Sequence, residues 1–490
     1  MAIKLSKSKY LSGLQCEKRL WLEINDPDKA TPVSEAQNLI FDRGTEVGIH
    51  AREQFPGGFL IELDLSNLDN CVAETEKAIQ RGETIIYEGN FFFDYTIAIA
   101  DILKKNKDGS WDLIEVKSTT EVKEVHIPDL ALQRYVLEGS GLKINKTSIM
   151  HINKECEYPD LSNLFIIEDV TSEVNNLVQL VPSDLEAFKT VITQKTEPQI
   201  SIGPQCKQPY ECPFKDYCWK NYGSEIVFDI PRLAYTKQLE LRSMEIFTID
   251  QLPFDYPLSG KQRAYVKRIL NHKIDVDSEK IKEKLSELDY PIFFLDFETD
   301  NPPIPRFNGM KPYQHIPFQY SCHKLNNNGK LEHFEYIHTD ETDPRFYIVE
   351  LLLNIFSESG SVIAYYSKFE DEILKKLADY FPNYSEQLNS IADRLWDQLE
   401  IFRDHYKHYS FGNSNSLKSV LPVLIPNMNY NELSIKQGDE AQMVWNKMIK
   451  LENSSEKDKM IQDLIEYCKM DTMAMVEIHR FLQRTADQSQ

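Results

Sequence analysis

Between Tyr95 and Thr119 the chain alternates apolar and polar positions in the manner of a β-hairpin. Ile97, Ile99 and Ile102 mark one strand, Asn106 to Ser110 a polar turn, and Trp111 to Val116 a second strand. Side chains two apart on a strand share a face, so Glu115 and Lys117 point the same way. If Asp101 ends the partner strand on that face, two carboxylates and an ammonium converge. A different pattern runs from Ile292 to Leu295, apolar at every position as for a central strand buried on both faces, and it delivers Asp296 and Glu298 at its end. Helical periodicity marks Ser6 to Glu23 and about Ser34 to Gln54, the latter closed by Pro56, Gly57 and Gly58. It also marks DLALQRYVLEGSGL, ending at Gly139 or Gly141, and EYCKMDTMAMVEIHRFL near the end of the chain. The expectation is an α/β fold.

A chain of 490 residues exceeds what one core accommodates and predicts two or three domains. Hydrophobic content of 41% is ordinary for a folded protein, and no long apolar run predicts a membrane span or a secretory signal. A soluble cytoplasmic protein is expected. The net charge of −22 argues against coating nucleic acid through the overall field, though not against a local basic groove. One stretch stands out against that charge: KQRAYVKRILNHK, Lys261 to Lys273, contains no acid. Either it meets phosphates, with Tyr265 against a base, or it is the solvated face of a surface helix.

Carboxylates are the hard oxygen ligands that Mg²⁺ or Mn²⁺ prefers, and a lysine beside such a metal orients or deprotonates an attacking water. Asp101, Glu115 and Lys117 therefore form one candidate constellation. Glu88 on the preceding strand reads as a solvated edge carboxylate before a supporting acid. Asp296 and Glu298 begin a second constellation, because unpaired charges at a buried strand are expensive and a metal offsets their repulsion. Tyr467 and Asp471, four apart, share a helix face. Of the eight cysteines, Cys206, Cys212 and Cys218 cluster in a Pro-rich stretch. Three thiolates invite a fourth, since iron–sulfur clusters and structural zinc usually take four ligands, and Cys16 is the natural candidate.

These residues carry a resemblance. Asp101, Glu115-Val116-Lys117 and Gln133 in DLALQRYVL resemble the motifs of RecB-type PD-(D/E)XK nucleases. A remote N-terminal cysteine with a C-terminal trio resembles the iron–sulfur members of that group, such as the CRISPR-associated single-strand exonuclease and the AddB nuclease domain. The resemblance implies that Asp101 and Glu115 bind metal, that Lys117 acts on water, and that Gln133 contacts substrate or orients the site. It also implies a 4Fe–4S cluster on Cys16, Cys206, Cys212 and Cys218, with zinc as the alternative because the first pair of the trio is wider than C-x-x-C. Where relatives carry a histidine ligand on the second helix this chain has Gly48, with His50 two residues on. Tyr135 stands nearer than the usual aromatic.

The second constellation is similar to the DEDD exonucleases of the ribonuclease-H-like fold. Asp296 and Glu298 match the first motif and Tyr467 with Asp471 the last. VIAYYSKFEDEIL supplies Glu370 where an aspartate is usual, Asp371 being the adjacent alternative, and Asp397 fits a strand-borne acid. Lys418, in NSNSLKSVLPVLIP, is expected to face phosphate. Three parts follow: 1–224 an iron–sulfur PD-(D/E)XK nuclease domain, 225–288 a helical connector, and 289–490 a ribonuclease-H-like exonuclease domain. The implied function is metal-dependent hydrolysis of phosphodiesters, from ends, with DNA ahead of RNA. The alternative is one active domain beside a degenerate one, the C-terminal, that binds nucleic acid or a partner, a reading Glu370 favours.

Overall fold

The structure, a computed structural model, describes residues 4–487. It is an α/β protein of two compact units. The first comprises Met1–Ser224, Ala234–Phe247 and Pro302–Tyr313; the second comprises Glu225–Leu233, Thr248–Asn301 and Gln314–Gln490. Among the described residues no helix is long and apolar enough to cross a membrane.

The first unit is built on β1 (Leu5–Ser6), β2 (Phe59–Leu60), β3 (Ile85–Phe93), β4 (Thr96–Lys105), β5 (Trp111–Lys117), β6 (Ile144–Ile152) and β7 (Phe165–Asp169). Its helices are α1 (Lys7–Gln15), α2 (Glu17–Asn25), α3 (Glu35–Glu53), α4 (Leu68–Arg81), α5 (His126–Gly139), α6 (Thr171–Val178), α7 (Val181–Ile192), α8 (Lys215–Trp219) and α9 (Tyr235–Ser243). The sheet runs β2-β3-β4-β5-β6-β7, with β1 also against β4. The β4–β5 hairpin turns through Gly109 at φ +85, a conformation glycine adopts without a Cβ penalty.

Two irregularities prepare the site. The β3–β4 ladder skips the step at Glu88 and Asp101, where Glu88 takes φ +53. Such a backbone costs about 1–3 kcal/mol and persists only where the surroundings enforce it. Around Asp101 the strand also changes partners: Ala98 and Ala100 pack in the core that holds Leu130 and Leu137 of α5, whereas Ile102 packs with Ala51 of α3. The expected helix over Ser6 to Glu23 is two helices. Cys16 breaks it at φ −167, ψ 118, its N–H donating to the Ser12 carbonyl (2.9 Å) and its own carbonyl accepting from Leu20 N–H (3.1 Å). One residue thus ends α1 and starts α2.

The second unit holds β8 (Ile274–Val276), β9 (Ile292–Asp300), β10 (Ile316–Leu325), β11 (Leu331–Ile337), β12 (Val362–Ala364), β13 (Leu395–Asp397) and β14 (Tyr406–His408). Its helices are α10 (Gly260–Leu270), α11 (Ser278–Leu285), α12 (Arg345–Ile355), α13 (Lys368–Tyr380), α14 (Ser385–Ala392), α15 (Gln398–Asp404), α16 (Leu417–Leu424), α17 (Gly438–Met448) and α18 (Ser455–Asp487). The main sheet runs β11-β10-β9-β12-β13, so β9 is central, and β8 pairs with β14. The stretch expected as a helical connector therefore also contributes a strand. Tyr265 is buried on α10 with Val266 and Ile269, which corrects the expectation that its ring meets a base.

Period two governs β9. Phe293, Leu295 and Phe297 pack on one face with Ile348 and Leu352 of α12 and Ile373 and Leu374 of α13. Ile292 and Phe294 pack on the other with Met475 and Val476 of α18. Asp296 and Glu298 continue this second face. The strand runs on to Asp300, so the two acids lie within it and not at its end.

Candidate functional site

In the first unit, β5 pairs with β4 only as far as Ile102 opposite Ile114. The Val116 N–H instead donates to Asp101 Oδ2 at 2.7 Å, which seats that carboxylate beside β5. Glu115 is buried and saturated: Oε1 accepts from Lys117 Nζ and from Lys7 Nζ, each at 2.7 Å, and Oε2 from Gln133 Nε2 at 2.7 Å. Asp129, one helical turn before Gln133 on α5, accepts from Lys117 Nζ at 2.8 Å and Gln133 Nε2 at 3.1 Å. Asp101, Glu115, Lys117 and Gln133 thus come together as expected, and Lys7 and Asp129 join them. Asp129 had a local signal, its i,i+4 spacing to Gln133. Lys7 had none, since it arrives from a helix distant in sequence.

The electrostatics are those of a strongly coupled cluster. Burial alone would raise Glu115, but Lys117 and Lys7 outweigh it and hold the carboxyl well below the usual range. Asp101 is raised well above its ordinary value by burial and by the charge of Glu115. Burial opposes the charge on Lys117 and Lys7, yet Glu115 and Asp129 keep both above the ordinary lysine value. Glu88 is not a solvated edge carboxylate. It pairs with Arg52 at 2.6 Å and lies close enough to Asp101 to raise it further. His50 pairs with Glu53 at 3.3 Å, and Tyr135 packs on Phe93 while donating to Asp94 at 3.1 Å, so both have structural partners. Gln133 Oε1 is buried without a hydrogen-bond partner. The carboxylates of Asp101 and Glu115 are the hard oxygen donors that Mg²⁺ or Mn²⁺ takes, and an ion there would displace the ammonium of Lys7 or Lys117 from Glu115.

Cys16, Cys206, Cys212 and Cys218 line one cavity in the same unit, with Leu22, Ile202 and Phe214 as apolar wall. None is in a disulfide. The break at Cys16 is fixed by Gln15, whose Nε2 donates to the carbonyls of Gln205 and Tyr210, each at 2.7 Å. Burial raises the thiol of Cys16, that of Cys212 to about 12 and that of Cys218 to about 11. Arg242, Arg19 and Lys18 oppose this at Cys16, Cys212 and Cys218 respectively. Four thiols beside three cations in an apolar wall fit a site that holds thiolates on a metal centre.

In the second unit β9, α13 and α18 bring Asp296, Glu298, Glu370 and Asp471 to one place. Asp296 Oδ2 lies 3.7 Å from Cys468 Sγ. Asp471 accepts from the Tyr430 hydroxyl, and Lys418 Nζ donates to Tyr467 Oη at 2.8 Å. Lys418 therefore serves the tyrosine in the observed arrangement where phosphate was expected. Glu370 is 2% exposed and its Oε2 has no hydrogen-bond partner. Asp371 turns away to Lys375 (2.8 Å), so Glu370 is the inward acid. Asp397 caps α15, accepting from Leu399 N–H at 3.0 Å and from Tyr366 N–H at 2.9 Å.

Burial, then mutual repulsion, raises Asp296 and Glu298 well above the usual carboxylate range. Burial and the charges of Asp296 and Asp397 do the same to Glu370. Asp471 is raised by burial to about 6, moderated by Tyr430 and Lys418. Buried acids that repel one another, one with an orphaned oxygen, are a donor set a divalent cation fits.

A family model described as Domain of unknown function (DUF2779) matches residues 293–416, a span that includes Asp296, Glu298 and Glu370. An uncharacterized protein of Mycoplasma genitalium is 26% identical over 226 residues, 42% of this chain and 34% of that protein. The chain thus matches about a third of the length of this curated relative. The crystal structure of SSO0001 aligns with 12% identity over 44% of this chain and 86% of that one, at a TM-score of 0.21.

Proposed function

We propose that the protein is a metal-dependent nuclease with an active site in each unit. The observation that carries the reading is the gathering of Asp296, Glu298, Glu370 and Asp471, four acids from three elements whose charges repel. A fold stabilised by packing alone would place apolar groups there, since burying like charges costs several kcal/mol each. Divalent ions bound in these sites would neutralise the phosphodiester and lower the pKa of water.

The chain's own groups have distinct tasks in this reading. Asp101 and Glu115 hold Mg²⁺ or Mn²⁺ in the first unit. Lys117 and Lys7, both kept protonated, act as donors that orient a water or a phosphate oxygen, not as bases. Gln133 fixes Glu115. In the second unit Asp296, Glu298, Glu370 and Asp471 hold the metal. Tyr467 accepts from Lys418 and hydrogen-bonds to Asp471, and in this reading its hydroxyl turns to a water once Asp471 is engaged by the metal. The four cysteines hold a 4Fe–4S cluster or zinc that ties α1 and α2 to the Cys206–Cys218 segment, a structural role. Nucleic acid, DNA ahead of RNA, is the substrate class.

The test is degradation of end-labelled single-stranded DNA, duplex DNA and RNA, under anaerobic conditions with Mg²⁺ or Mn²⁺. Wild type is compared with Lys117→Ala, Asp296→Asn and the double variant. Loss of a different product pattern in each single variant, and of all products in the double, supports two active sites. A second reading makes the second unit a nucleic-acid or partner-binding module. The Tyr430 hydroxyl engaged on Asp471 favours it, because that oxygen is then committed within the protein. Asp296→Asn indistinguishable from wild type on every substrate would establish this alternative.

A further inference from the structure

Resting on the metal reading of the second unit, we infer that its site is a mixed oxygen–sulfur centre in which Cys468 is a ligand, selecting a thiophilic divalent transition metal over Mg²⁺. Cys468 sits on α18 between Tyr467 and Asp471, three residues before the aspartate and so on the same helix face. One ligand atom each from Asp296, Glu298 and Cys468 lies within 4.8 Å of the others. Metal–sulfur bonds of about 2.3 Å and metal–oxygen bonds of about 2.0–2.2 Å make donors on a shared ion fall within such a span. The sulfur of Cys468 is fully buried, 3.7 Å from Asp296 Oδ2 and 3.9 Å from the Asp296 carbonyl. A thiol used as small hydrophobic filler would face hydrocarbon. Glu370 is a second, independent observation that points to a cation here: it is buried, its Oε2 lacks a hydrogen-bond partner, and it lies near enough to Glu298 to raise it.

Oxygen-only sites suit Mg²⁺, whereas a thiolate shifts preference toward Zn²⁺, Co²⁺ and Fe²⁺. Ligation breaks the S–H bond, forms the sulfur–metal bond and releases the proton to solvent; no electron is transferred. The Asp101–Glu115 site of the first unit would bind Mg²⁺ or Mn²⁺ through carboxylate oxygens, so the two acidic sites would differ in the ion they take.

The test is an anaerobic Co²⁺ titration of the metal-stripped full chain in wild type and Cys468→Ser, read as the difference between the two so that the cysteine quartet they share cancels. The readout is thiolate-to-cobalt charge-transfer absorption. Wild type is expected to gain a one-thiolate band and to bind Zn²⁺ roughly tenfold or more tighter than Cys468→Ser, with equal Mg²⁺ affinity. Cys468→Ala serves if the serine variant melts early. Should Cys468→Ser keep the wild-type band and Zn²⁺ affinity while Asp296→Asn loses the ion, ligation by sulfur is overturned and the metal site stands. Should Asp296→Asn bind as many ions as wild type, the metal reading itself falls and the inference with it.

Discussion

Lys418 donates from Nζ to the hydroxyl of Tyr467 at 2.8 Å and lies 4.8 Å from the centre of its ring. The cation therefore reaches the acidic cluster through a phenol and lowers Asp471 from a distance without a salt bridge of its own. Lys418→Met should leave the fold intact and lower turnover at the second site by roughly tenfold or more, the scale of a positioning contact. KM should change little. A KM rise at constant kcat would mean that Lys418 binds substrate and does not position Tyr467.

Lys7 is the sharper test of the first site, because no motif contains it. Lys7→Met removes one of two ammoniums from Glu115 and is expected to cut cleavage by the first unit by about 10²–10³-fold, the scale of losing one preorganised hydrogen-bond donor. Single-turnover rates on the substrate lost in Lys117→Ala would measure this. Full activity in Lys7→Met would reduce Lys7 to a neutraliser of buried charge.

The acids of the second site predict a metal-dependent stability that varies with pH. Asp471 goes from 3.8 to about 6 on folding, with Asp296, Glu298 and Glu370 also raised. A raised folded-state pKa contributes stability below the unfolded value, and that contribution is lost as pH rises through the folded one. Metal-free protein should therefore lose Tm from pH 3.8 through about 6 and beyond. The Tm gained on adding Mn²⁺ should be larger above that window than within it and shrink in Asp296→Asn. Equal gains at both pH values, or in both proteins, would contradict it.

His323 and His333 predict the opposite slope. Their rings stack 4.3 Å apart, and His323 Nδ1 bonds Thr472 Oγ1 at 2.8 Å. Burial, then each ring's cationic surroundings, lowers His323 to about 3 and His333 to about 4. A depressed pKa contributes stability above the unfolded value of 6.5, lost as pH falls through about 4. His323→Gln should flatten the acid limb of unfolding free energy against pH relative to wild type. An unchanged slope would show that the pair does not titrate on unfolding.

If the four cysteines hold the proposed metal centre, Cys16→Ser should lower the stability of the first unit and abolish iron or zinc binding, with activity lost in proportion to unfolding. Iron, zinc and sulfide analysis beside limited proteolysis of residues 1–224 would measure this. A folded, metal-free variant that retains wild-type cleavage would remove the structural role.

What the sequence made legible was periodic or short-range. The β4–β5 hairpin, the buried β9 and the α3 boundaries follow from alternation, apolar runs and capping, and α3 begins one residue after Ser34, which caps it. Asp101 with Glu115, and Asp296 with Glu298, were visible because strands fix faces. Lys7 and Tyr430 were not, because each reaches its site through packing of elements far apart in the chain, whereas Cys468 had a local signal, its i,i+3 spacing to Asp471. The break at Cys16 was hidden for a related reason. Ser6 to Glu23 carries helix-compatible residues throughout, and the interruption is imposed by Gln15 bonding to carbonyls of the cysteine loop. Tyr265 shows the converse error: a charge pattern named a surface, but the ring on it faces inward.

Helix α1 has Lys7 as its first residue and Cys16 immediately after its last. At 1.5 Å per residue the two stand about 14 Å apart on one rigid rod. A metal centre on the cysteines would therefore act on turnover as an anchor acts on a tether. Dismantling it by oxygen would slacken the rod and withdraw an ammonium from Glu115, though no group at the active site had been chemically altered. Bleaching of the centre followed beside cleavage would track this: matched decay rates support the coupling, and undiminished cleavage after complete bleaching refutes it.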